Sequence, residues 1–77
     1  MTTFDQSLNL RVDFEKAQLQ SDTPAIAEAR VNAYALGMEA YEAGHELEDR
    51  PALLSPLASS WEAGWLYAFF YSDVLQA

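Results

Sequence analysis

The chain contains no cysteine, so it has no disulfide, no thiolate nucleophile and no cysteine-ligated metal, and an intracellular setting is the default expectation. Basic residues are scarce: Arg11, Lys16, Arg30 and Arg50 stand against 12 acids, for a net charge of −8. With no basic patch to neutralise phosphate, direct binding to DNA or RNA is disfavoured. No uninterrupted apolar run approaches the ~18 residues of a membrane span, and the start MTTFDQSLNL lacks the basic region and apolar stretch of a secretory signal. The expectation is a soluble, cytoplasmic protein with no membrane role.

Catalytic signatures are missing too. There is no phosphate-cradling glycine loop, no serine in an elbow context, and one histidine. His45 is flanked by Glu42, Glu46, Glu48 and Asp49, but one histidine among flexible carboxylates has no metal-ligand spacing, and it reads as a solvated side chain in an acidic loop. No enzymatic activity, cofactor or metal is expected.

At 77 residues the chain is one domain near the lower limit for a single core, since such a chain buries only roughly 60% of the surface its unfolded form exposes. Half of its residues are hydrophobic and 13% are aromatic, enough for it to fold despite its charge.

Residues 1–22 read differently from the rest. In SLNLRVDF the apolar Leu8, Leu10, Val12 and Phe14 alternate with polar residues, the period of a half-buried strand, while EKAQLQ is helix-forming composition. Helix over residues 5–20 is preferred, because a lone strand would be an unpaired edge. Thr23 then offers an N-cap and Pro24 a first helical residue, predicting a helix from Pro24 to Ala43 that Gly44 stops. Its contact side is expected to carry Ala27, Val31, Tyr34, Met38 and Tyr41, with Gly37, Ala40 and Gly44 filling in. Gly37, in mid-helix, costs roughly 1 kcal/mol against Ala and so implies close packing there.

Pro51 and Pro56 mark His45 to Ser60 as a linker, with Leu53, Leu54 and Leu57 expected to cover the helices. Ser59 and Glu62 have the spacing of a capping box for a second main helix, Ser60 to Leu75. One side of it carries Trp61, Gly64, Trp65, Ala68, Ser72 and Leu75. The other sides still show Leu66, Tyr67, Phe69, Phe70, Tyr71 and Val74, too much apolar surface for one partner helix. Either the amino-terminal segment covers it, or another subunit or a target does.

Gly37, Ala40 and Gly44 in GMEAYEAG, Pro51 seven positions on, and Trp61, Gly64 and Trp65 in WEAGW form a pattern that resembles the ribosome modulation factor family. These are short bacterial proteins associated with ribosome hibernation. The resemblance spans about residues 30 to 70 and implies two helices joined by an ordered proline-containing linker. Residues 1–22 would then be an amino-terminal extension to a two-helix domain over residues 23–77. The expected fold is all-α: a small helical, hairpin-like domain with two main helices, plus the amino-terminal segment, assembled as a homodimer.

The ribosome-binding relatives are basic, whereas this chain is acidic and has Ala52 where the family commonly places an aromatic residue. The expected partner is therefore a basic protein or nucleoprotein complex, met by the acidic Glu39, Glu42, Glu46, Glu48 and Asp49, with Tyr67, Phe70 and Tyr71 serving a partner or a second subunit. A non-enzymatic regulator or inhibitor results, of the size and charge of mobile-element proteins that block host restriction or CRISPR complexes. A ribosome-associated modulator is the alternative.

Overall fold

The structure, a computed structural model, describes residues 3–76, with side chains described over 4–72. Three helices make up the fold: α1 (Thr3–Leu19), α2 (Thr23–Glu42) and α3 (Ala58–Gln76). Two short 3-10 turns, Leu47–Asp49 and Ala52–Leu57, lie between the last two helices. No strand occurs among the described residues, so the alternation of Leu8, Leu10, Val12 and Phe14 does not mark one. Leu10 and Phe14 are buried one helical turn apart, while Leu8 and Val12 face outwards. The residues next to Leu10 in the core are Phe14 and, a turn beyond, Ala17, a helical spacing hidden beneath the alternation.

The α1–α2 junction is tight because each end satisfies its own orphan groups. The Ser21 amide donates to the Gln18 carbonyl at 3.1 Å and the Asp22 amide to the Ala17 carbonyl at 2.9 Å. This is the double closure of a helix ended by a left-handed residue, here Ser21 at φ 52°. The next residue opens α2: the Asp22 carboxylate accepts from the Ala25 amide at 3.2 Å. The N-cap is thus Asp22 rather than the expected Thr23, which lies in the first turn beside Pro24. So short a connection folds α2 back antiparallel to α1.

At its far end α2 stops at Gly44, as the sequence predicts. Gly44 has φ +88°, with its amide on the Tyr41 carbonyl at 3.0 Å and that of His45 on the Ala40 carbonyl at 3.0 Å. An L side chain at Gly44 would strain this conformation.

The helical hairpin of the fold is α1–α2. Along α2 and α3, by contrast, contacts ascend together: Arg30 and Tyr34 lie with Ser59 and Ala63, Tyr41 with Trp65 and Phe69, and Glu42 with Tyr71. The two main helices therefore run side by side in the same sense, and residues 43–57 carry the chain back to the start of α3. On the way Leu54 and Leu57 enter the core, where they join Leu10, Phe14, Ala29, Ala33 and Trp61. The Ala52–Leu57 turn touches all three helices. Arg11 fixes it to α1 by donating to the Leu53 carbonyl at 2.8 Å while pairing with Glu15 at 2.6 Å.

Two expectations on α3 change. The helix begins at Ala58, continuous with the preceding turn, so Ser59 is inside it and does not cap it. Glu62, the other half of the expected capping box, instead pairs with Arg50 of the linker. The buried line of α2 is also different from the one expected. Ala29, Ala33 and Gly37 are buried, whereas Ala27 and Val31 are exposed, Val31 by 66%.

That shift arises because α2 packs against α1, where Ala29 lies with Leu10 and Ala17, as well as against α3, which Gly37 meets. A Cβ on Gly37 would overlap the Trp61 carbonyl oxygen and lie 2.9 Å from the carbonyl carbon and 3.0 Å from the Trp65 amide nitrogen. A Cβ on Gly64 would do the same to Tyr34, overlapping its carbonyl oxygen and lying 2.8 Å from its carbonyl carbon. Each glycine seats the other helix's backbone. Small residues therefore form the buried line, and larger ones flank it.

Gly37→Ala and Gly64→Ala test this contact. Alanine gains roughly 1 kcal/mol of helix propensity over glycine, but overpacking against rigid backbone costs typically 1–3 kcal/mol and here forces the helices apart. Each variant is expected to lose about 2 kcal/mol in urea unfolding, with the double variant losing less than the sum because both relieve one crossing. Stabilisation of either single variant would contradict the geometry.

Candidate functional site

Because the α2–α3 seam is built from Gly37, Gly64 and Ala68, the large side chains of α3 lie to either side of it. At 100° per residue, Trp65 and Phe69 fall on one edge of the Gly64–Ala68 line and Tyr67 and Tyr71 on the other. Trp65 stacks on Phe69 at 5.5 Å, and Tyr41 meets both edge-on, at 5.3 and 6.0 Å. Across the seam Tyr67 stacks on Tyr71 at 5.7 Å with an 11° interplanar angle, and Tyr34 approaches Tyr67 at 6.1 Å. Such pairs add roughly 0.5–1.5 kcal/mol each beyond their burial.

The two tryptophans differ. Trp61 is core, 2% exposed. Trp65 is half-buried, and its indole N–H donates to the His45 carbonyl at 2.9 Å, tying the end of α2 to α3. Gly37, Gly44, Pro51, Trp61, Gly64 and Trp65, the residues of the sequence pattern, thus occupy the crossing, the helix stop, the linker and the lock between them.

The candidate partner residues do not form one patch. Glu42 lies at a groove of about 360 Å³ between α2 and α3, with Met38, Tyr41, Tyr67, Ala68 and Tyr71. This brings one predicted acid together with two predicted aromatics. Phe70 lies outside that groove against Phe69, at 5.4 Å. Tyr67, Phe70 and Tyr71 are 49, 62 and 54% exposed. α1 packs on α2 and on the Ala52–Leu57 turn, so the amino-terminal segment does not cover them. The side chains of Val74 and Leu75 lie outside the described ones.

The remaining acids face elsewhere. Glu39 and Asp49 border a cavity of about 160 Å³ between α1, α2 and the linker, which also has Ser7, Leu36, His45 and Trp61 in its wall. Asp49 is structural, because its carboxylate accepts from the Glu46 amide at 2.8 Å and so closes the Leu47–Asp49 turn. The imidazole of His45 lies 3.8 Å from the same carboxylate, half-exposed. Glu46 and Glu48 are exposed on this turn. No cluster of three or more potential metal ligands occurs among the described residues.

Sequence reasoning placed Met38 and Tyr41 on the α2 contact face but missed that, with Glu42, they wall a groove. The signal was present, since Met38, Tyr41 and Glu42 are three and four residues apart and share one helix face. It missed Ser7 altogether. This hydroxyl is buried, 1% exposed, and its Oγ has no hydrogen-bond partner among the described residues. Nothing in SLNLRVDF marks it.

Comparison with protein-family models, with curated proteins and with solved structures finds no match.

Ser7→Ala is expected to stabilise the fold by about 1 kcal/mol, because an unpaired buried hydroxyl carries a desolvation cost that alanine does not. Thermal unfolding checks this, and a clear loss of stability would show that the hydroxyl has a partner.

Proposed function

We propose that this protein is a small, acidic, non-enzymatic regulator that binds a basic protein or nucleoprotein complex. The observation that carries the reading is the α2–α3 groove, where exposed tyrosines share one surface with a carboxylate that has no ion pair among the described residues, in a chain of net charge −8. Aromatic side chains supply contact area at low entropic cost, and the charge steers a basic partner towards them while opposing bare nucleic acid. No described helix is long and apolar enough to cross a membrane, and the proposed setting is the cytoplasm.

Inhibition of a nucleic-acid-handling complex of the host, by a protein of mobile-element origin, is the specific role that fits this chemistry best. Ribosome association, which the sequence pattern suggests, would need contact through a basic ribosomal protein rather than through RNA. The proposed homodimer would pair through Leu66 and Phe70, one turn apart, exposed, and outside the groove. Pairing and partner binding are then compatible. Sedimentation equilibrium is expected to show dimer at high micromolar concentration, and monomer alone would remove this part of the proposal.

The partner reading is tested by reversing Glu42, Glu46 and Glu48 to Lys. Asp49 is spared because it holds the linker turn. In affinity capture from native-cell extract with mass spectrometry, the unaltered chain should recover a basic protein, and the triple variant should lose it while keeping its helicity. Recovery of the same protein undiminished by the reversal would defeat the proposal.

A further inference from the structure

The four basic side chains of the protein are all placed away from the α2–α3 groove. Arg11 serves Glu15 and the Leu53 carbonyl, and Arg50 pairs with Glu62. Lys16 borders the α1–α2 depression, and Arg30 borders the start of α3. Glu42 therefore faces the groove with no ion pair among the described residues. Beside it, Tyr67 and Tyr71 present nearly parallel rings, 11° apart, each about half exposed. Ala68 between them on the helix is small and buried, leaving room above it that Met38 and Tyr41 close from the α2 side.

An aromatic face attracts a cation through the negative face of its π-system, and a carboxylate attracts one directly. Which cation fits is decided by shape. In the Tyr67–Tyr71 stack each ring turns one face to the other, which leaves a flat outer platform rather than the enclosing walls that hold a spherical quaternary ammonium. A planar guanidinium can lie on such a platform and keep its edge N–H groups for a carboxylate, which accepts them in pairs. An ammonium, being compact and strongly hydrated, makes poorer use of both.

We infer that the α2–α3 groove is an arginine-recognition site, in which the guanidinium of a basic partner stacks on the outer face of the Tyr67–Tyr71 pair and donates to the Glu42 carboxylate. This deepens the proposed function and rests on it, by naming the side chain that the partner contributes. The stem of that arginine packs along Met38 and Tyr41. The acids beyond Gly44 increase the encounter rate and do not discriminate arginine from lysine, so selectivity resides in the groove.

The test compares two probes of equal charge and length, hexa-arginine amide and hexa-lysine amide, titrated against the full isotopically labelled chain at 0.1 M salt and followed by amide chemical shifts. Hexa-arginine is expected to bind roughly fivefold more tightly, as stacking adds to charge only for the guanidinium. Its shifts should centre on Glu42, Tyr67 and Tyr71. In Glu42→Gln and in Tyr71→Leu the two affinities should converge. If Tyr71→Leu unfolds, Glu42→Gln, a change at an exposed side chain, carries the comparison. Equal affinities for the unaltered chain would overturn the groove assignment while leaving acid-driven binding of a basic partner intact. Shifts centred elsewhere, an arginine preference that survives both substitutions, or binding of neither peptide would also overturn it.

Discussion

The contact between the backbones of α2 and α3, seated in Gly37 and Gly64, is the constraint on which the other features depend. Where two helices touch through their main chains, the seam has no room for large side chains. The bulk of α3 is displaced to both edges, Trp65 and Phe69 on one and Tyr67 and Tyr71 on the other. The exposed aromatic surface is thus a consequence of how the core is built. The glycines themselves favour the unfolded chain by roughly 1 kcal/mol each in helix propensity, so the close approach has to return more than that in packing. Trp61 in the core, Leu54 and Leu57 beneath it and the Trp65 bond to the His45 carbonyl all assume that the two backbones are this close.

The acid of EAGHELEDRP takes its meaning from the same arrangement. Past Gly44 the chain must return to begin α3 alongside α2, and it does so through two tight turns. Asp49 caps one of them, and Arg50 anchors the return to Glu62 of α3. The carboxylates that remain, Glu46 and Glu48, are solvated, and Glu39 borders a different cavity. Among the described acids, Glu42 alone borders the aromatic groove. A run of acids in sequence therefore divides into a capping group, a solvated pair and one group at the groove. Helix geometry and a turning linker send neighbours in sequence to different faces.

Local chemistry made much of the fold legible. Pro24, the Gly44 stop, the two linker prolines and the close packing at Gly37 each rest on backbone properties that a single residue announces. What was hidden depended on choices among neighbours. Asp22 takes the cap because the preceding left-handed Ser21 has already closed α1, leaving Thr23 inside the first turn. Val31 is exposed because α2 packs on α1 as well as on α3, which moves its buried line to Ala29, Ala33 and Gly37. Glu62 leaves its expected cap because α3 continues directly from the Ala52–Leu57 turn and Arg50 is within reach. The direction of α3 was also illegible, since the linker is long enough to allow either sense. At the site, Tyr67, Tyr71 and Glu42 were readable as exposed aromatics and acid; their meeting was not, because it is set by the α2–α3 crossing.

The most direct measurement is a nuclear Overhauser spectrum of the labelled chain, read between α2 and α3. Strong cross-peaks are predicted from the Gly37 Hα protons to the Trp65 amide and from the Gly64 Hα protons to the Tyr34 Hα, distances that only a backbone-to-backbone contact makes short. Their absence, with the sequential peaks of both helices present, would mean that the helices pack through side chains, and would contradict both the glycine-seated seam and the aromatic edges derived from it.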